Sequence, residues 1–195
     1  MRRIALLTAV LIVVLAFVRV GLGEDGIFKF ENGIWYLDID DNGIKDVVIC
    51  GEYFTPWGGN IYKACSFYLR TKEGKLFYIP IPAEGNKGSE VSVYTYSKVG
   101  GCGSRINKEE ITNLSSFRLI KLNSGVYLIL AKKDCKSIEK MINNKCPFNV
   151  VIFKYDQEDK TFLKYKTYEL NKPYCDSEEV FKNENKILKL LDGGR

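Results

Sequence analysis

The segment Ile34-Trp35-Tyr36-Leu37-Asp38-Ile39-Asp40-Asp41-Asn42-Gly43-Ile44-Lys45-Asp46-Val47-Val48-Ile49-Cys50-Gly51 carries the most information in the chain. Two runs of β-branched and aromatic residues, Ile34–Leu37 and Val47–Cys50, flank nine residues of which four are aspartates. Such runs on either side of a polar, glycine-containing loop predict a hairpin. Counting from Asp38, oxygen-bearing side chains stand at positions 1, 3, 5 and 9, with glycine at 6. Calcium takes six to eight hard oxygen ligands, and alternate side chains of a curled loop can converge on one point. The candidate ligands are Asp38, Asp40, Asn42, Asp46 and, through its backbone carbonyl, Ile44. Gly43 allows the sharp turn. Three carboxylates and an amide held this closely repel one another unless a cation sits among them. An EF-hand is excluded, because position 12 is Ile49 where a bidentate Glu is needed, and because both flanks are strands.

The same grammar recurs outward from this hairpin. Cys65–Leu69 and Leu76–Ile79 flank Thr71–Lys75. Phe117–Leu122 and Val126–Leu130 flank Asn123–Gly125. Val150–Phe153 and Phe162–Tyr165 flank Asp156–Lys160. The fold class this predicts is mainly β, with antiparallel hairpins in a single domain and minor helices. A capping-box pattern at Asn107-Lys108-Glu109-Glu110 predicts a short helix to about Leu114. Lys136–Asn143 is a second candidate. Ser177–Leu191 is the third, with Ser177 as its cap and Val180, Ile187, Leu188 and Leu191 near one face. Pro173, just upstream, is expected to break the preceding strand.

The loop and its flanks resemble the strand–loop–strand calcium unit of FG-GAP and VCBS-type repeats: apolar strand, Asp-x-Asp-x-Asn-Gly-x-x-Asp, apolar strand, Gly51. The match covers residues 35–51. FG-GAP units build β-propellers, typically of four to eight blades. The chain holds one copy of the loop, and its length suits about three four-stranded blades. The expected architecture is therefore a small or irregular propeller-like domain, or a sandwich. The layout after the loop, with Trp57-Gly58-Gly59-Asn60-Ile61-Tyr62 and then a tyrosine-containing hairpin, is similar to that of small single-loop periplasmic proteins. Some of those inhibit peptidoglycan hydrolases. That likeness implies a non-catalytic role in the cell envelope.

The chain begins with Arg2 and Arg3, an apolar run from Ile4 to Val18, and small residues at Gly21 and Gly23. A charged start, an apolar middle and a small-x-small exit predict a signal peptide over 1–23, and hence a periplasmic or extracellular protein. The rival, a retained anchor, fits less well, since the run is shorter than the about 20 residues of a membrane span. No later run is long enough. Residues 24–195 then form one disulfide-containing β domain. Three of the 29 basic residues fall within 1–23, which leaves 26 against 24 acids. Near-neutral charge gives no argument for nucleic acid.

Six cysteines, Cys50, Cys65, Cys102, Cys135, Cys146 and Cys175, are an even count and form no Cys-x-x-Cys. In an exported chain they read as up to three disulfides. A continuous helix between Cys135 and Cys146 would hold them about 16 Å apart, too far to bond. Either that segment turns back on itself, which is the favoured reading, or both bond elsewhere.

The chain has no histidine. Histidine-dependent triads, dyads and metal sites are thereby excluded. A two-carboxylate glycosidase survives that test, yet no pair of acids stands out. Asp156, Glu158 and Asp159 lie in a hairpin turn among lysines, where a solvated surface is expected. Gly100–Ser104 lacks the ending of a phosphate-binding loop. The aromatic run Tyr53-Phe54-Thr55-Pro56-Trp57 would serve as a contact patch through Tyr53, Phe54 and Trp57 if exposed, although burial of most of it is expected. The functional expectation is an exported calcium-binding protein that binds or inhibits a protein or glycan partner of the envelope. A small carboxylate-dependent hydrolase of envelope glycans is the alternative.

Overall fold

A computed structural model of the chain describes residues 26–55, 60–82, 89–90, 92–99, 111–135, 145–182 and 191. The strands are β1 (Gly26–Phe28), β2 (Gly33–Leu37), β3 (Asp46–Thr55), β4 (Asn60–Arg70), β5 (Leu76–Tyr78), β6 (Ile81–Pro82), β7 (Ser89–Glu90), β8 (Val93–Val99), β9 (Ile111–Asn113), β10 (Ser115–Leu122), β11 (Gly125–Lys133), β12 (Cys146–Asp156) and β13 (Thr161–Tyr174), followed by the helix α1 (Ser177–Phe181). One sheet runs β2–β3–β4–β8–β9, with β5 also paired to β4. A second runs β1–β10–β11–β12–β13, and β6 pairs with β7. All pairings are antiparallel. The four hairpins expected from sequence are β2–β3, β4–β5, β10–β11 and β12–β13.

The two sheets pack face to face as a sandwich, and alternation along the strands decides what meets what. Val48, Cys50, Cys65, Phe67 and Leu69 face inward from the first sheet. Phe117, Leu119, Leu128, Phe153 and Phe162 meet them from the second. Phe67 sits at the centre, edge-on to Phe30, Phe117 and Phe162, with ring centroids 5.8–6.2 Å apart, a favoured arrangement for aromatic rings. The opposite face of the second sheet is also apolar. There Ile120, Ile129, Phe148, Val150 and Ile152 pack with Val180, Phe181 and the helical residue Leu191. Three layers result: sheet, sheet, helix.

Cys50 and Cys65 lie directly opposite each other on β3 and β4, with Cα atoms 4.2 Å apart, and are bonded. Cys135 and Cys146 are bonded to each other, with Cα atoms 5.6 Å apart, so they do not bond elsewhere. Cys175 is disulfide-bonded too, and Cys102 lies outside the described residues.

Three local expectations are corrected. Ile111–Asn113, expected in a helix that ends near Leu114, is strand β9, paired with β8; β-branched Ile111 and Thr112 suit a sheet edge more than a helix turn. Pro173 does not break its strand. β13 runs to Tyr174 because it is an edge strand, where a missing N–H is tolerated, and its register slips between Phe148 and Cys146 of β12. The helix is capped one residue earlier than expected, by Asp176, whose side chain accepts from the Glu178 amide at 2.7 Å. Residues 107–110, 136–143 and 183–190 of the expected helices lie outside the described residues.

Candidate functional site

The acidic loop closes the β2–β3 hairpin. Tyr36 pairs with Val47 and Leu37 with Asp46, which puts the first and last acids of the motif at the loop's base. Asp41, at φ 58°, and Gly43, at φ 81°, take left-handed conformations. Those two residues curl the chain back on itself. The Asp38 carboxylate sits inside the curl and accepts from the amides of Asn42 (3.1 Å) and Gly43 (2.9 Å).

Asp46, the first residue of β3, is fully buried. Its two carboxylate oxygens accept from different amides, Ile39 and Arg70, each at 2.8 Å. Each oxygen thus keeps a lone pair free. Burial pushes its pKa up to about 6; the Arg70 and Ile39 amides pull it down, and the Asp40 and Asp38 charges push it up. A group this costly to ionise gains from a cation beside it.

One carboxylate oxygen from each of Asp38, Asp40 and Asp46 lies within 4.8 Å of the others, so the three together could hold a metal ion. The other two expected ligands are in the same curl with different contacts. The Asn42 carbonyl oxygen accepts from the Ile44 amide at 2.7 Å, and its NH2 group donates to Asp40 at 2.8 Å.

Residues far away in sequence complete the surroundings. Lys121 of β10 donates to the Asp38 carbonyl at 2.7 Å and pairs with the Asp41 carboxylate at 2.5 Å. Gln157 donates to the Asp40 carbonyl at 3.1 Å. Tyr155 of β12 lines a groove together with Ile39 and Asp41 of the loop. Sequence reasoning missed all three, and no local pattern marks them.

A groove of about 600 Å³ opens beside the loop, lined in part by Asp41, Tyr155, Asp156, Gln157 and Tyr165. Its carboxylates already have structural partners. Asp41 pairs with Lys121, and Asp156 accepts from the amides of Glu158 (3.0 Å) and Asp159 (2.8 Å) within its turn.

The aromatic run at the far end of β3 divides. Tyr53 is 53% exposed and Phe54 57%, against the expectation that most of the run is buried. Tyr53 lies on the face of β3 opposite the core residues Val48 and Cys50. Neighbouring residues on a strand face opposite ways, so Tyr53 and Phe54 do not share a face. Tyr53 instead joins Tyr62 and Tyr96, which lie opposite in register. The Tyr53 and Tyr62 rings stack at 5.0 Å, and Tyr96 lies tilted by 38° against Tyr62 at 5.1 Å. Tyr94 is exposed on the same face. The alternation Val93-Tyr94-Thr95-Tyr96 is the signal that could have found this row. Trp57 lies outside the described residues.

Fold and site define an antiparallel β sandwich with disulfides and an acidic, metal-competent hairpin loop. No protein-family model matches the chain, and no curated protein does. Among solved structures it is similar to CarG, at 17% sequence identity and a TM-score of 0.59, over 81% of this chain and 94% of that one. That likeness is one of fold. Disulfides such as these are typical of exported proteins, and no helix among the described residues is long and apolar enough to cross a membrane.

Proposed function

We propose that the protein is an exported, periplasmic or extracellular calcium-binding protein, non-catalytic, that binds or inhibits a partner in the cell envelope. One observation carries this reading: β3 begins at the buried acid Asp46 and carries the exposed aromatic Tyr53 near its other end. A single rigid strand thus joins a metal-competent loop to a surface suited to contact. Calcium is the favoured ion because the donor set is all hard oxygen and the chain has no histidine. The groove beside the loop favours this reading over the carboxylate hydrolase, because Asp41 and Asp156 are held by structural partners instead of facing each other across a cleft.

The test has two arms. Thermal unfolding is compared in chelator and in calcium, for the wild type and for Asp38→Ala/Asp46→Ala. At an affinity of about 0.1 mM, typical of weak extracellular sites, about 1 mM calcium stabilises the fold by roughly 1.4 kcal/mol, or about 3–6 °C. That shift should vanish in the variant; its absence from the wild type would remove calcium from the reading. In the second arm, immobilised wild type and Tyr53→Ser/Tyr94→Ser are exposed to envelope protein extract and to purified peptidoglycan. Retention lost in the variant supports the binder, whereas clearing of peptidoglycan by the wild type would restore the hydrolase.

A further inference from the structure

Tyr155 is buried, only 6% exposed, and its hydroxyl has no hydrogen-bond partner among the described residues. Its ring is well packed, edge-on to Phe162 at 5.7 Å. An orphaned buried hydroxyl is uncommon, and it usually marks a place for an ordered water or ion. Burial raises the Tyr155 pKa, and the Asp40, Asp46 and Asp156 charges raise it further. Tyr155 lines the groove beside the loop together with Ile39 and Asp41, yet no loop carboxylate accepts its phenol proton. A gap between a buried donor and these acceptors is what a bridging water fills.

The loop above is fixed in relation to this tyrosine. Lys121 and Gln157 hold the Asp38 and Asp40 carbonyls from the second sheet, while Asp46 is anchored by the Arg70 amide of the first sheet and by the Ile39 amide of the loop itself. Calcium bound by three carboxylates keeps open positions, and water takes them.

We propose, on the premise that the loop holds a cation, that the site is completed by the opposite sheet: an ion on Asp38, Asp40 and Asp46 fixes a water against the Tyr155 hydroxyl, so that the loop acts as a clasp between the two sheets. Tyr155 is then a positioning residue that acts through the ion's hydration shell. Without the ion its hydroxyl is a buried donor with nothing to meet.

Tyr155→Phe removes only that hydroxyl and leaves the contact with Phe162. The affinity of the purified protein for calcium, measured by titration calorimetry, should fall about tenfold, as for other groups that orient a metal's immediate ligands. In chelator the variant should unfold at the same temperature as the wild type or higher. A tyrosine difference spectrum on adding calcium should appear in the wild type and shrink in the variant. Equal affinity in both proteins would overturn the clasp and leave calcium binding intact. Equal destabilisation of the variant in chelator and in calcium would make the hydroxyl an ordinary structural group, which also overturns it. A wild type that takes up no calcium would defeat the cation site and the clasp together.

Discussion

Asp46 sets the chemistry of the loop at the scale of one residue. Its ordinary pKa is 3.8 and the fold raises it to about 6. Between those values the folded chain holds a proton that the unfolded chain has released. Stability therefore falls as pH rises from about 4 through about 6, when no ion is present. The shift corresponds to roughly 3 kcal/mol at most. A bound cation reverses the preference, because it favours the carboxylate. The melting temperature in chelator should decline across that window, and calcium should flatten the decline. Asp46→Ala should lack the slope in both conditions. A chelated wild type whose stability climbs from pH 4 to 7 would refute the assignment. Glu178 works with the opposite sign. Burial pushes its carboxyl up, but Arg118 and Lys29 outweigh that and hold it below its ordinary value of 4.5, so its contribution is lost only at lower pH.

Glu178 also decides how an element docks. Its carboxylate pairs with Arg118, which lies under the Phe181 ring at 4.6 Å, and with Lys29 at 2.9 Å. This joins α1 to β10 over the apolar outer face of the second sheet. Removing one partner leaves the nearly buried Arg118 uncompensated. Glu178→Ala should cost about 3 kcal/mol, or roughly 6–12 °C by thermal unfolding, and Glu178→Gln should cost less. A change below about 1 kcal/mol would mean that apolar packing alone seats the helix. The elements also show what the sequence makes legible. The four hairpins could be read because each is local: two strands and the turn between them. The same holds for the acidic loop, whose Asp38, Asp40 and Asp46 converge as their spacing implies. Ile111–Asn113 could not be read, since its partner β8 outweighs the helical capping pattern. Lys121 and Gln157 could not either, because they reach the loop across 83 and 117 residues of sequence.

For the molecule as a whole, the two outer faces of the sandwich differ. That of the second sheet is covered by the helix. That of the first presents Tyr53, Tyr62, Tyr94 and Tyr96. Tyr53 and Tyr62 stack within 10° of parallel, so each turns one flat face to the other instead of to solvent. Glycan platforms work through ring faces, whereas protein interfaces use tyrosine edges and hydroxyls as readily. We propose a protein instead of a glycan as the partner of this face. Tyr53→Ser/Tyr94→Ser removes half-exposed side chains and cross-strand contacts worth about 0.2–1 kcal/mol each. It should lower the melting temperature by only about 2–4 °C, while abolishing retention of the envelope protein. Soluble peptidoglycan fragments should bind neither form. If the fragments bind the wild type and the serine variant loses them, the row of tyrosines is a glycan surface after all. If the variant unfolds far below the wild type, the row belongs to the fold and the contact surface lies elsewhere.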